Sequence, residues 1–125
     1  MVGRSMNPVH KKEFLELCYG SRVVVLDADS GNVTLGRSPD TSLNVNDPRV
    51  SRQHAQLEWR SGHFILSDAS SYGTWVYLGN QSEPMVLRRT ECYLVGSGTI
   101  VPGCARDDDN APLVSFSIKH RAHTP

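Results

Sequence analysis

Short apolar runs separated by turn-forming residues follow one another along most of the chain. The clearest run is 55–59, where Ala55, Leu57 and Trp59 alternate with polar residues, and the run 114–118 alternates in the same way. A period of two places the apolar side chains on one face of an extended strand, so each run is typical of a strand with one buried face.

The spacing of these runs predicts an all-β domain. The predicted strands are 14–18, 22–26, 33–35, 55–59, 63–66, 74–78, 86–87, 92–95, 99–101 and 114–118. Pairs such as Gly20-Ser21, Ser61-Gly62 and Gly79-Asn80 separate them, as turns do in a sandwich or barrel. The segment 11–18 also fits a helix, and we interpret it as the first strand.

Composition narrows the class of protein. The chain has 125 residues, enough for one domain, and its 13 Lys+Arg balance its 13 Asp+Glu. A net charge of zero disfavours nucleic acid as a partner. No apolar run reaches the roughly 20 residues of a membrane span. The three cysteines, Cys18, Cys92 and Cys104, complete neither a disulfide framework nor a four-cysteine zinc site. We therefore expect a cytoplasmic domain.

The sequence offers little for catalysis. Ser51 and His54 are the nearest serine and histidine, but residues three apart on a strand face opposite sides, so we interpret His54 as a buried or turn-holding residue. The segment 106–112 contains three consecutive aspartates without the features of a calcium loop, and it predicts a mobile, solvated loop that exposes the neighbouring Cys104. We expect no enzyme activity, no metal and no cofactor.

Three loops carry polar residues that the strands do not require. These loops are 36–38, 47–54 and 68–74. They contain Arg37, Arg49 and Arg52 together with short hydroxyl side chains. The planar donor fork of arginine and the compact donor of serine, set among loop amides, are the chemistry of a phosphate site. The pattern therefore predicts an anion-binding site shared by three loops.

At these loops the sequence resembles the forkhead-associated (FHA) family, and bacterial members in particular. The family pattern is Gly-Arg, then Ser-x-x-His, then Asp-x-x-Ser/Thr-Asn-Gly-Thr. It is present here as Gly36-Arg37, Ser51-Arg52-Gln53-His54 and Asp68-Ala69-Ser70-Ser71-Tyr72-Gly73-Thr74, and the segment 94–100 resembles a late strand of the family. The resemblance implies an FHA-like β-sandwich of about 11 short, mostly antiparallel strands, with the ligand site on loops at one end.

The resemblance also implies domain limits and residue roles. The domain would span 13–119, between an N-terminal tail or expression remnant at 1–12 and a C-terminal tail at 120–125. Four residues would bind the phosphate of a phosphothreonine: Arg37, Ser51, Arg52 and Ser71. Two would contact the rest of the peptide: Arg49 and Tyr72. Five would hold the loops in place: Gly36, His54, Asp68, Gly73 and Thr74.

The sequence departs from the family pattern at Tyr72, where the family has an asparagine that binds the peptide main chain. Tyr72 either packs against the peptide or alters ligand preference, and Tyr77 stands where asparagine is also common. The implied partner is a threonine-phosphorylated protein, with a Ser/Thr kinase upstream and no nucleic acid or membrane. A monomer is the default expectation. The alternative is an FHA-like scaffold that binds a partner, or itself, without phosphate. The parent protein, a nucleotide cyclase or another signalling protein, stays open.

Overall fold

The computed structural model describes residues 13–121 and contains eleven β-strands. In chain order they are β1 (Glu13–Tyr19), β2 (Arg22–Asp27), β3 (Val33–Gly36), β4 (Leu43–Asn44), β5 (Ala55–Arg60), β6 (His63–Asp68), β7 (Thr74–Leu78), β8 (Met85–Leu87), β9 (Glu91–Leu94), β10 (Ser97–Pro102) and β11 (Val114–His120). The predicted all-β class is confirmed, and the first segment is a strand. The predicted tail 1–12 and residues 122–125 lie outside the described residues.

The strands form two sheets. One has the order β2-β1-β11-β10-β7-β8, and the other has the order β4-β3-β5-β6-β9. Neighbouring strands are antiparallel except for β3 and β4, which are parallel. The sequence did not predict β4, because its two residues are too few to show a period.

The core lies between the two sheets. Alternate residues of the paired strands point inward, so Leu15 and Leu17 from one sheet meet Leu57 and Leu66 from the other, all fully buried. Each such side chain contributes about 1.5–3 kcal/mol when it leaves water. The alternation that predicted the strands therefore also supplies most of the core.

A smaller cluster lies on the opposite face of β7 and β10. Tyr77 and Val101 pack there with Cys104, and the Tyr77 hydroxyl accepts a hydrogen bond from the backbone N–H of Arg106 at 2.9 Å. The expectation that Cys104 is exposed is wrong, because the segment after β10 folds back over the sheet. Cys104 is only 5% exposed, and burial raises the pKa of its thiol.

Strand directions collect the functional loops at one end of the sandwich. The connections β3–β4, β4–β5, β6–β7, β8–β9 and β10–β11 all lie at that end. Glu13 and His120 are cross-strand neighbours at the other end. The beginning of β1 and the end of β11 therefore lie away from the loop end.

We predict that Gly98→Ala destabilises the fold. Gly98 lies in β10 between β7 and β11, where an added methyl group would overlap the Tyr77 carbonyl oxygen and lie 2.9 Å from the Phe116 ring. Overpacking of this kind should lower the free energy of unfolding by about 2–3 kcal/mol, as measured by urea denaturation.

Gly79→Ala is the matched control. Gly79 has a φ of 58° and nothing within 4 Å of an added methyl group. The substitution should therefore lower the free energy of unfolding only by the cost of placing alanine at this φ, about 1–2 kcal/mol. A loss at Gly98 no greater than that at Gly79 would contradict the steric argument.

Candidate functional site

The β3–β4 and β4–β5 loops lie directly against each other at the end of β3. The backbone N–H of Arg37 donates to the carbonyl of Ser51 at 3.0 Å, and that of Ser38 donates to Arg52 at 3.2 Å. A methyl group on Gly36 would overlap the Arg52 carbonyl. Gly36 is therefore required by the close approach of two backbones, not by its own φ.

Arg37 is aimed by its own backbone neighbours. Its Nε–H donates to the Val50 carbonyl at 3.0 Å, which leaves both terminal nitrogens available. No carboxylate among residues 13–121 lies within 4 Å of its guanidinium. A cavity of about 200 Å³ opens beside it, lined by Arg37, Pro48, Arg49, Val50, Ser51, Ser71 and Tyr72. The charge of Arg37 is therefore free to meet an anion there.

Ser51 and Ser71 bring two loops together at this cavity. The backbone N–H of Ser71 donates to Oγ of Ser51 at 3.0 Å, which joins the β4–β5 loop to the β6–β7 loop. Because Ser51 Oγ accepts in this bond, its own hydroxyl hydrogen remains free to donate. The structure thus places two of the predicted serines and Arg37 around one small space.

Arg52 lies apart from this group. It is exposed and does not line the cavity, and its charge faces Asp40 instead. The pKa of Asp40 is lowered, chiefly by the Ser38 hydroxyl and in smaller part by Gln53 and Arg52. Direct phosphate contact by Arg52 therefore requires its side chain to turn toward the cavity.

Arg49 is occupied by the protein itself. It donates to both carboxylate oxygens of Asp47, at 2.9 and 2.8 Å, and to the carbonyls of Asp109 and Asn110, at 2.9 and 3.0 Å. The segment 106–112, expected to be a mobile loop, is anchored by these bonds. Arg49 therefore braces the β10–β11 segment. The peptide contact predicted for it stays a prediction and would compete with these bonds.

His54 holds the site from beneath and is fully buried. Its Nδ1 accepts a hydrogen bond from the backbone N–H of Ser51 at 3.0 Å, and its Nε2 lies 3.0 Å from the Gly73 carbonyl. The two partners require a neutral ring with its hydrogen on Nε2. The contact with Ser51 involves the backbone, not the hydroxyl, so the pair is not a nucleophile with its base.

Asp68 completes this buried support. Its carboxylate accepts hydrogen bonds from the hydroxyls of Ser70 at 2.7 Å and Thr74 at 2.6 Å and from the backbone N–H of Arg89 at 2.8 Å. Burial by itself would raise the pKa of Asp68, but these hydrogen bonds outweigh burial and hold the pKa below its usual range.

Tyr72 and Gly73 form the rim of the β6–β7 loop. Gly73 has a φ of 105°, where other residues are strained. Tyr72 is 58% exposed, and its carbonyl accepts a hydrogen bond from Nη1 of Arg88 at 2.9 Å. Arg88 was not among the predicted site residues. The only signal for it in the sequence is the pair Arg88-Arg89 directly after a short strand.

The remaining chemistry of residues 13–121 is sparse. No group of three metal-ligating side chains is present in this part of the chain. None of its segments forms a helix with the length and apolar character needed to cross a membrane. A cavity of about 340 Å³ lies at the opposite end, where Glu13 and His120 pair with each other at 3.2 Å.

The geometry can be compared with known proteins. The sequence model of the FHA domain matches residues 33–101, which include all three loops. The chain belongs to the FHA family. Among curated protein sequences, no relative matches it.

Solved FHA domains share this fold. The chain is similar to FHA-1 of Rv1747 from Mycobacterium tuberculosis, with a TM-score of 0.65, 21% identity, and coverage of 87% of this chain and 99% of that one. It is also similar to an FHA domain studied for phosphothreonine-dependent interactions, with a TM-score of 0.56, 25% identity and coverage of 90% and 98%. The human APLF FHA domain in complex with an XRCC1 bisphospho peptide has a TM-score of 0.59, 24% identity and coverage of 84% and 96%.

We predict that His54 makes this FHA domain less stable in mild acid. Burial lowers the pKa of His54 below its usual value, so the unfolded chain takes up a proton at a pH where the folded protein does not. The free energy of unfolding should therefore fall as the pH drops below about 6.5, by at most about 1.4 kcal/mol per pH unit. Urea denaturation at a series of pH values measures this slope.

His54→Gln should flatten the slope, whereas the exposed His63→Asn should leave it unchanged. If His54→Gln does not fold, the ring carbon shifts of His54 in the native protein report the same titration. A ring that becomes protonated at pH 6.5 or above would contradict the prediction.

Proposed function

We propose that this FHA domain binds phosphothreonine in partner proteins and has no catalytic role. The observation that carries the proposal is the Arg37 guanidinium, fixed by the Val50 carbonyl, beside the hydroxyls of Ser51 and Ser71 in a cavity of about 200 Å³. A phosphothreonine brings about −1.5 to −2 charges and three acceptor oxygens at pH 7. The positive charge of Arg37 and the hydrogen-bond donors around the cavity complement such a group.

The donors account for a moderate affinity. Each hydrogen bond to a charged group contributes roughly 1.5–3 kcal/mol, so three from Arg37, Ser51 and Ser71 supply roughly 5–9 kcal/mol. Ordering a flexible peptide costs several kcal/mol, and contacts with its side chains offset part of that. We therefore expect micromolar binding, near −8 kcal/mol.

Threonine is favoured over serine by the apolar part of the same cavity. Pro48 is exposed there next to the polar residues, and a γ-methyl group packed against it leaves water. One buried methyl is worth about 0.8 kcal/mol. The similar FHA domain studied for phosphothreonine-dependent interactions supports phosphothreonine as the ligand.

The wider setting follows from the proposed ligand. A threonine-phosphorylated protein is the partner, so a Ser/Thr kinase acts upstream and the domain serves signalling or assembly. We propose a cytoplasmic location because protein kinases act there, and a bacterial source because the segment 68–76 resembles bacterial FHA sequences.

We predict that binding depends on the phosphate. A phosphothreonine peptide selected from a library should bind with micromolar affinity, its phosphoserine counterpart about fourfold more weakly for the lost methyl contact, and the unphosphorylated peptide not measurably. Isothermal titration of the three peptides measures the differences. Equal affinity for the phosphorylated and plain peptides would refute phosphate recognition.

Two variants locate the site. Arg37→Ala and Ser51→Ala should each weaken phosphopeptide binding by about tenfold or more, because each removes a donor to a charged group. Arg60→Ala is the matched control, since it removes an exposed arginine that pairs with Glu91, outside the cavity. A loss with Arg60→Ala as large as that with Arg37→Ala would refute this location.

A second candidate function, self-association without phosphate, is favoured by one observation. Val23 and Val25 are 57% and 41% exposed on β2, the edge strand of its sheet. A second copy could pair there and cover both side chains. Analytical ultracentrifugation of the unphosphorylated chain tests this function. A dimer of the unaltered chain that is lost in Val23→Lys supports self-association, and a monomeric unaltered chain excludes it.

A further inference from the structure

Several arginines at the loop end of this neutral chain have no carboxylate partner. Of the arginines in residues 13–121, Arg49, Arg60 and Arg121 have a carboxylate within 4 Å. Five arginines of the end loops have none: Arg37, Arg52, Arg88, Arg89 and Arg106. These guanidinium groups outnumber those that a single phosphate cavity needs.

Arg88 is the one of these arginines that is positioned next to the cavity without lining it. Its Nη1 donates to the Tyr72 carbonyl at 2.9 Å, and its guanidinium lies 5.5 Å from the centre of the Trp75 ring. Both contacts restrain an otherwise exposed side chain. One of its five N–H groups is used within the described part of the chain, so the rest of the donor fork is available.

The distance from the phosphate cavity suits a neighbouring ligand residue. Tyr72 directly follows Ser71, whose N–H is bonded to Ser51 at the cavity. An extended peptide advances about 3.3 Å per residue, so residues two to four away from the phosphothreonine lie roughly 7–13 Å from it. Arg88 is within reach of such a residue.

Arg49, the position that the family resemblance suggested for reading a ligand side chain, is largely engaged within the protein. Four of its N–H donors are taken by Asp47 and by the carbonyls of Asp109 and Asn110. Its charge is balanced by Asp47, whereas Arg88 has no such partner among the described residues. A ligand carboxylate therefore gains more from Arg88 than from Arg49.

We propose that Arg88, restrained by the Tyr72 carbonyl and the Trp75 ring, binds a carboxylate side chain two to four residues from the phosphothreonine. This selectivity rests on the proposed phosphothreonine binding and adds an acidic residue to the ligand. The planar guanidinium matches a carboxylate with two parallel hydrogen bonds, and its position over the Trp75 ring restrains it. Because the site is exposed, the gain is about three- to tenfold in affinity.

The experiment uses a set of phosphothreonine peptides with alanine at about four positions on each side of the phosphothreonine. Each peptide of the set carries one aspartate in place of alanine, at a different position. With the unaltered chain, fluorescence anisotropy should show aspartate tightening binding by about three- to tenfold at a single position. Arg88→Gln should abolish this ratio while still binding the all-alanine phosphopeptide. Arg88→Lys should keep only part of the ratio, because it keeps the charge and loses the fork.

Arg89→Gln is the matched control. It removes the same charge from the next residue, which bonds Asp68 through its backbone N–H and not through its side chain, and it should keep the aspartate preference. If Arg89→Gln loses the aspartate preference as fully as Arg88→Gln, the preference depends on the general positive charge of the surface, and the proposal is overturned. The proposal is also overturned if Arg49→Gln loses the preference and Arg88→Gln keeps it.

Two further outcomes are distinguishable. Phosphate-dependent binding with no aspartate preference refutes this inference alone. Absence of binding for every phosphopeptide refutes the proposed function, and this inference with it. Because the readout is a ratio between two phosphopeptides, a small loop shift in Arg88→Gln affects both and does not imitate loss of selectivity.

Discussion

A buried, uncharged histidine ties the loop end of this protein to its sandwich. His54 accepts a hydrogen bond from the Ser51 N–H through Nδ1 and donates through Nε2 to the Gly73 carbonyl, so one ring connects the β4–β5 and β6–β7 loops. Both bonds need the neutral ring, and burial favours that form. The position of Ser51, and with it the shape of the cavity beside Arg37, depends on this one protonation state.

Burial separates the supporting groups of the site from the donors that line its cavity. Asp68 and Thr74 satisfy each other beneath the surface, where an unpaired polar group would cost about 1–3 kcal/mol. Arg37 and Ser51 remain above them with free donors. An anion therefore meets donors that are already oriented, which reduces the entropy lost on binding.

The same division explains how a neutral chain leaves some arginines available at its loop end. Asp47 neutralises Arg49 and uses it to fix the β10–β11 segment, whereas Arg37 and Arg88 are held by backbone carbonyls, which orient a guanidinium and leave its charge unbalanced. Whether an arginine is structural or available to a ligand is decided here by its partner: a carboxylate in one case and a carbonyl in the other.

The strands with a clear period of two, the family, and the loops that meet at one end could all be predicted from the sequence. Period and turn residues are local properties, so β5 and β11 were predictable, while the two residues of β4 carried no period. The phosphate, peptide and structural roles assigned to individual residues remain predictions.

Only the tertiary structure decided which side chains are free. It buried Cys104 under a folded-back segment, engaged Arg49 with a loop about sixty residues away, and placed Arg88 beside Tyr72. Such contacts depend on three-dimensional distance, and residues far apart in a chain carry no local signal of it. An arginine reads the same in the sequence whether its donors face a carbonyl, a carboxylate or solvent, and that difference sets what it can bind.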